Sequence, residues 1–314
     1  SATVTLWLYG TNNTYSGDTI ISNGTLFARA PGSLPGYDSG KLTIAPAATL
    51  AIRSDDGVTG WSADQIKSLH DASTFASSTA VLSLDTTPAS VDYTGDLTKT
   101  LALTKRGNNT LTLNGTNTFG GTLTVSGGTL VLSASSTNGP GPITISGGST
   151  NTSLIIDGVT TIGTNTTHIV TVASASGDRS IATLSTNATF GKLYIGAAGG
   201  ASGAFIQKDG VLAVGPTIGS TDVLDVGNGG YGYYRMNAGS LTTGQLGVNG
   251  GSGGNGVFDL YNGTVNVPTS NGWLIFNWGT GISILNLFGG SVTAPPGAND
   301  TTLSYSGNSA NLGV

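Results

Sequence analysis

The chain has 314 residues, 51 of them Gly, no Cys, and 16 acidic residues against 11 Lys plus Arg, for a formal charge of −5. All the acids are Asp; the absence of Glu and scarcity of Lys and Arg exclude a helix-rich fold, because Gly, Asn, Ser, Thr and Asp serve turns and β-surfaces. The composition also excludes disulfide staples, and with no basic cluster beyond Lys105-Arg106 and no apolar run near the roughly 20 residues that span a bilayer, neither nucleic acid nor membrane insertion is expected.

Alternation of apolar residues begins at once, with a strand predicted over Ser1-Ala2-Thr3-Val4-Thr5-Leu6-Trp7-Leu8. Two further short strands follow in Tyr15-Ser16-Gly17-Asp18-Thr19-Ile20-Ile21-Ser22-Asn23-Gly24-Thr25-Leu26. Lys41–Ile44 and Thr49–Ile52 read the same way. The segment 62–70 breaks the pattern: Ser62 and Gln65 form a capping-box opening, and Ile66 and Leu69 share one helical face. A short helical insertion is predicted there, with Trp61 and Phe75 beneath it.

The block 105–132 carries three strands, marked by Leu111/Leu113, Leu123/Val125 and Leu130/Leu132, each closed by a Gly or Asn turn. It repeats the earlier one: Phe119 to Leu130 spans 11 positions, as does Tyr15 to Leu26. A second repeat family follows, containing Phe205–Leu212, Tyr234–Leu241, Phe258–Val265 and Leu285–Val292. Each has Gly five positions after its first apolar residue, at Gly210, Gly239, Gly263 and Gly290, with intervals of 29, 24 and 27. These glycines are predicted at equivalent corners of successive coils, where φ is positive. Three strands per 22–31 residues predict a three-faced solenoid, since strands this short bury a face only by stacking on copies of themselves. The glycine-rich run 250–256 falls between two repeat strands and is read as a corner, not a linker.

The first block resembles the passenger-associated transport repeat of bacterial autotransporters. Lys105, Gly107, Thr110, Leu111, Leu113, Gly115, Asn117, Thr118, Phe119, Gly120, Gly121, Gly128, Thr129 and Leu130 sit at its positions. Phe119 replaces the usual Tyr, which Tyr15 supplies in the earlier copy. The resemblance implies an all-β, right-handed parallel β-helix and an exported, extracellular or cell-surface protein. It leaves activity open, because such repeats carry many functions. One domain is expected over 1–314, with repeats of this type over 1–190, the helix at 62–70 and the second family over 191–314. No leader with a charged and an apolar region opens the sequence, so any export signal is expected to lie outside it.

Catalytic chemistry on a β-helix needs converging carboxylates with a cation. The close acidic pairs, Asp55-Asp56, Asp92/Asp96 and Asp222/Asp225, read as turns or as opposite sides of a strand. Asp225 and Asp259 are the one candidate pair across coils. His70 and His168 lack any motif context, and no calcium-binding nonapeptide is present, so no metal or cofactor is expected and no enzymatic activity. Tyr234 and Phe258 share a repeat position and are read as an internal aromatic ladder. Trp278 is the candidate exposed aromatic.

The reading that follows is an extracellular structural protein, either a rigid β-helical rod or the self-assembling subunit of a filament or surface layer. About eleven coils at ~4.8 Å give a length on the order of 50 Å. Head-to-tail association with other copies is expected through Val4, Leu6 and Leu8 at one end and Leu303 and Tyr305 at the other, and a proline at Leu6 is expected to block it. The alternatives are an adhesin passenger that binds glycans or surfaces and, least supported, a carbohydrate-active enzyme.

Overall fold

The computed structural model describes residues 4–55, 58–133, 141–158, 160–161, 167–215, 223–249, 253–267, 273–276, 280–293, 304–305 and 310–313. Among these residues the chain is a parallel β-solenoid of about 11 turns with a single α-helix. Its contacts divide it into two compact units, Ser1–Gly141 and Pro142–Val314.

In the first unit one ladder carries the fold. Strands Thr5–Leu8, Thr25–Ala28, Thr49–Arg53, Val81–Asp85, Leu101–Arg106 and Gly120–Val125 pair in parallel in that order. Alternate side chains point inward, so Leu26, Leu50, Leu82 and Leu103 form one buried column. Among the described residues each coil here adds one further strand. In the earlier coils it is Thr19–Ile21, Leu42–Ile44 or Thr74–Phe75, and in the later ones Val91–Tyr93, Thr110–Leu113 or Gly128–Leu132.

The two copies of the first repeat therefore do not superpose face on face. Thr25–Ala28 closes the earlier copy and lies in the same ladder as Gly120–Val125, which opens the later one. What recurs is a strand–glycine corner–strand unit, with Gly24 at φ 72° and Gly128 at φ 61°. The same unit is used at two different corners of the coil.

A helix is inserted before the strand Thr74–Phe75, where the capping box predicts it. It spans Ala63–Ala72, and Ser62 and Gln65 exchange both capping bonds, at 3.0 and 3.4 Å. Ile66 and Leu69 are fully buried beneath it. Trp61 is buried alongside, donating from Nε1 to the Ala28 carbonyl at 3.0 Å and meeting Tyr37 edge-on. Phe75 lies beside His70 with ring centroids 6.4 Å apart.

The second unit has three strands per coil. Its first ladder runs from Ile143–Ile145 through Ile169–Val172, Lys192–Ile195, Val223–Val226, Gln245–Val248 and Trp273–Phe276 to Ser304–Tyr305. The second runs from Asn151–Ile156 through Arg179–Leu184, Ser202–Gln207, Tyr231–Met236, Asn255–Leu260 and Ser283–Leu287 to Ala310–Gly313. The third runs from Thr160–Thr161 through Ala188–Phe190, Val211–Val214, Ser240–Thr243 and Thr264–Asn266 to Ser291–Thr293. The pairing Ala310–Gly313, beyond the strand expected at Leu303–Tyr305, was not foreseen from the sequence.

Register explains the repeat. Phe205, Tyr234, Phe258 and Leu285 are aligned on consecutive coils. Phe205 and Tyr234 stack at 5.3 Å, and Tyr234 and Phe258 at 4.6 Å with planes 3° apart, all three rings fully buried. Each such pair adds about 0.5–1.5 kcal/mol beyond the area it buries. Five residues on, the predicted glycine column is present. The φ angles of Gly210, Gly239, Gly263 and Gly290 lie between 79° and 102°. A Cβ on Gly239 would lie 2.1 Å from the Gly210 carbonyl oxygen, and one on Gly263 or Gly290 2.4 Å from the oxygen below. Those carbonyls accept from Ser240, Thr264 and Ser291 of the next coil, at 2.9, 3.1 and 2.9 Å. The corner thus needs glycine twice over, for its dihedral and for its packing.

Candidate functional site

Lys105 opens the repeat motif, and its place in the fold decides what it does. It follows Leu101 and Leu103 at the inward positions of its strand and pairs with Leu84 and Val125 on either side. The side chain is fully buried, and its ammonium donates to three carbonyls, Arg106 at 2.9 Å, Gly107 at 2.7 Å and Gly127 at 2.8 Å. Burial pushes its pKa down to about 8. Lys105 is therefore a corner clamp tying two coils together, unavailable to any ligand.

The acidic candidates are dispersed. Asp225 lies in the first ladder of the second unit, beside Tyr194 and Gly247, whereas Asp259 lies in the second, beside Arg235 and Asn286. The suggested pair across coils is thus on two different faces. Asp225 accepts from Asn228 at 2.5 Å. Asp259 accepts from the Tyr233 hydroxyl at 2.8 Å and from Asn286 Nδ2 at 2.7 Å, and burial with this bond raises Tyr233 to about 12. Asp55 pairs with Arg53 at 3.2 Å and accepts from Thr59, while Asp96 accepts from the Thr116 amide of the next coil. Asp56 and Asp222 lie outside the described residues.

The His residues sit in different units. His70 is buried on the helix, with Nδ1 3.0 Å from Asp71 and Nε2 accepting from the Lys99 amide at 3.4 Å. Desolvation lowers its pKa, against the opposing pull of Asp71. Sequence reasoning missed Asp178, also buried, whose carboxylate accepts from Gly148 and Ala175, both at 2.8 Å, and so joins a turn to the coil below. The signal was weak, a single Asp before Arg179 in an otherwise ordinary turn.

Two kinds of surface remain. The first is the edge strand Thr5–Leu8, bonded among the described residues only to Thr25–Ala28. Val4 is 75% exposed and Leu6 60%, although the Leu26 that pairs with Leu6 is buried; Leu8 is half-buried. Val4 and Leu8 use their carbonyls to bind Thr25 and Arg29, at 2.9 and 3.1 Å. By the alternation of a parallel ladder Leu6 also bonds inward, leaving the N–H and C=O of Thr5 and Trp7 on the open edge. A proline at Leu6 would thus break the existing pairing, and the position whose N–H faces outward is Thr5. At the other end Ser304–Tyr305 pairs with Ile275 and Phe276, while Leu303 lies outside the described residues.

The second is the outward side of the second unit's second ladder. Tyr231 is exposed, Tyr233 half-buried, and both line a shallow groove of about 240 Å3 with Arg179, Ile181 and Asn151. Arg235 lies over the Tyr261 ring at 4.4 Å, and Tyr261 stacks on Phe288 at 4.6 Å, both rings exposed. Trp278, the expected surface aromatic, lies outside the described residues.

Comparison with known proteins bears on the repeat alone. The family model described as the passenger-associated-transport-repeat matches residues 1–26 and 103–132. No curated protein and no solved structure matches the chain. The chain thus carries passenger-associated transport repeats within a β-solenoid, as an autotransporter passenger-type β-helix does, and the repeat family points to a surface or secreted location.

Proposed function

We propose that this chain is a non-enzymatic structural segment of an extracellular passenger, and that copies of it associate end to end into a filament. The observation that carries the proposal is the open edge at Thr5–Leu8, with Val4 and Leu6 exposed beside it. A strand of this kind presents unpaired N–H and C=O groups and the cross-section of an apolar core, which another parallel strand satisfies. The strands that close the second unit's ladders, Ser304–Tyr305 and Ala310–Gly313, have the required direction. Unlike ends that join do not close on themselves, so the product grows. The non-enzymatic part is supported by the separation of Asp225 from Asp259 on two faces.

Thr5→Pro tests the association without touching the inner pairing. The parent chain is expected to scatter light increasingly with concentration, while Thr5→Pro stays monomeric with the same unfolding midpoint. Equal scattering from both would contradict the proposed edge. The second reading, an adhesin that binds neutral glycans, is favoured by the exposed Tyr231, Tyr261 and Phe288. It predicts binding that Tyr261→Ala weakens, whatever the state of the edge.

A further inference from the structure

The first unit carries an open groove of about 490 Å3 on the outward side of its main ladder, lined by Trp7, Tyr9, Phe27, Arg29, Arg53 and Asp85 among others. Its floor is aromatic. Trp7 and Phe27 meet at 4.5 Å between ring centroids, Trp7 and Tyr9 stack at 5.8 Å, and Trp7 and Tyr9 are each more than half exposed. Its wall carries two arginines and one carboxylate, Asp85, the ladder partner of Arg53. Ala28 pairs with Ile52, so Arg29 and Arg53 stand side by side on neighbouring strands, about 4.8 Å apart in the ladder.

Two like charges so placed repel unless an anion lies between them. Arg53 gives one Nη2 bond to Asp55 at 3.2 Å, and the Nε of both arginines is buried with no partner. The acid in the groove, Asp85, is already turned onto Thr87, accepting from its amide at 2.9 Å and its hydroxyl at 2.6 Å. The groove therefore holds a surplus of guanidinium donors beside a ring-stacking platform, in a chain whose overall charge is negative. Guanidinium matches a carboxylate two bonds at a time, and aromatic faces take the apolar side of a sugar ring.

We propose that this groove binds an acidic oligosaccharide, with a uronate carboxylate between Arg29 and Arg53 and the sugar ring against Trp7 and Phe27. The site goes beyond the structural role: it uses the outward side chains of Trp7 and the arginines, whereas self-association uses the backbone of the strand that carries Trp7.

The test is titration of the parent chain and of Thr5→Pro with trigalacturonate, followed by calorimetry, with its methyl ester as the neutral control. Both chains are expected to bind the acid, and the ester at least tenfold more weakly. Raising the salt concentration should weaken binding of the acid and leave the ester unchanged. Arg29→Gln and Arg53→Gln should each weaken it at least tenfold, while Arg235→Gln, in the second unit, leaves it intact. Sulfate at the same concentration separates a simple anion site from a glycan site. Competition by sulfate as strong as by trigalacturonate, equal affinity for acid and ester, or no binding by the parent chain would each overturn the proposal. Should either glutamine variant fail to fold, the acid–ester and sulfate comparisons on the parent chain still decide. Loss of filaments with binding retained would strike only the structural proposal.

Discussion

At the scale of single residues, polar groups buried in this solenoid are joints between coils. Lys105 takes an inward position and spends its three ammonium protons on three corner carbonyls. Lys105→Met keeps the aliphatic stem and takes this donor from all three carbonyls, of which that of Arg106 keeps its bonds from Thr86, so unfolding experiments should show a loss of about 1–3 kcal/mol. The pH dependence carries the sign of a depressed pKa. The folded chain releases this proton near 8 while the unfolded lysine holds it to about 10.4, so stability from this group is gained as pH rises through that window and is absent below it. Denaturant midpoints of the parent should therefore rise relative to Lys105→Met between pH 7 and 9.5. Parallel curves for the two would show that Lys105 titrates normally. Gln207 is the second such joint, accepting from the Tyr234 hydroxyl at 2.6 Å and donating to the Gly210 and Ser240 carbonyls, both at 3.0 Å. Gln207→Leu leaves the buried Tyr234 hydroxyl without its acceptor and takes one donor from each carbonyl, that of Gly210 keeping the Ser240 amide, and should cost about 1–3 kcal/mol by the same measurement. A cost below 0.5 kcal/mol, the scatter of ordinary surface changes, would contradict that network.

At the scale of elements, the corner decides more than the strand does. Gly239 and Gly177 share a left-handed backbone, at φ 88° and 84°, but a Cβ meets the Gly210 oxygen at the first and nothing within 4 Å at the second. Alanine at either strains the dihedral by about 1–2 kcal/mol. Gly239→Ala also pushes apart two coils, so its unfolding midpoint should fall well below that of Gly177→Ala. Equal losses would mean that dihedral strain alone is felt. This column and the Tyr234–Phe258 stack were legible in the sequence because both recur at a fixed offset within each repeat. The helix was legible because its capping box is local. The shift of the first repeat by one face was not, since strand order depends on excursions such as Ala30–Lys41, whose length carries no pairing information. The role of Lys105 was not legible for a related reason. Alternation shows that it shares a side with Leu101 and Leu103, but only the fold shows three carbonyls waiting there. Arg29 and Arg53 each follow the last inward residue of a strand, yet 24 positions separate them, and only the register makes them neighbours.

For the molecule as a whole, parallel stacking makes every coil both a partner and a template. Among the described residues, the inner strands of each ladder are bonded on both sides and the strands at its ends on one. The arrangement offers such a chain two kinds of surface, a backbone edge open to a like strand and outward side-chain faces. Side chains at the edge were legible from the alternation of Val4, Leu6 and Leu8, whereas the N–H groups left open, those of Thr5 and Trp7, follow only from the observed hydrogen bonds. Association through that edge can be seen by electron microscopy of the concentrated chain. Unbranched filaments with a strand spacing of ~4.8 Å along the axis are expected, absent from Thr5→Pro. Discrete single particles at the highest attainable concentration, identical for the two chains, would contradict it.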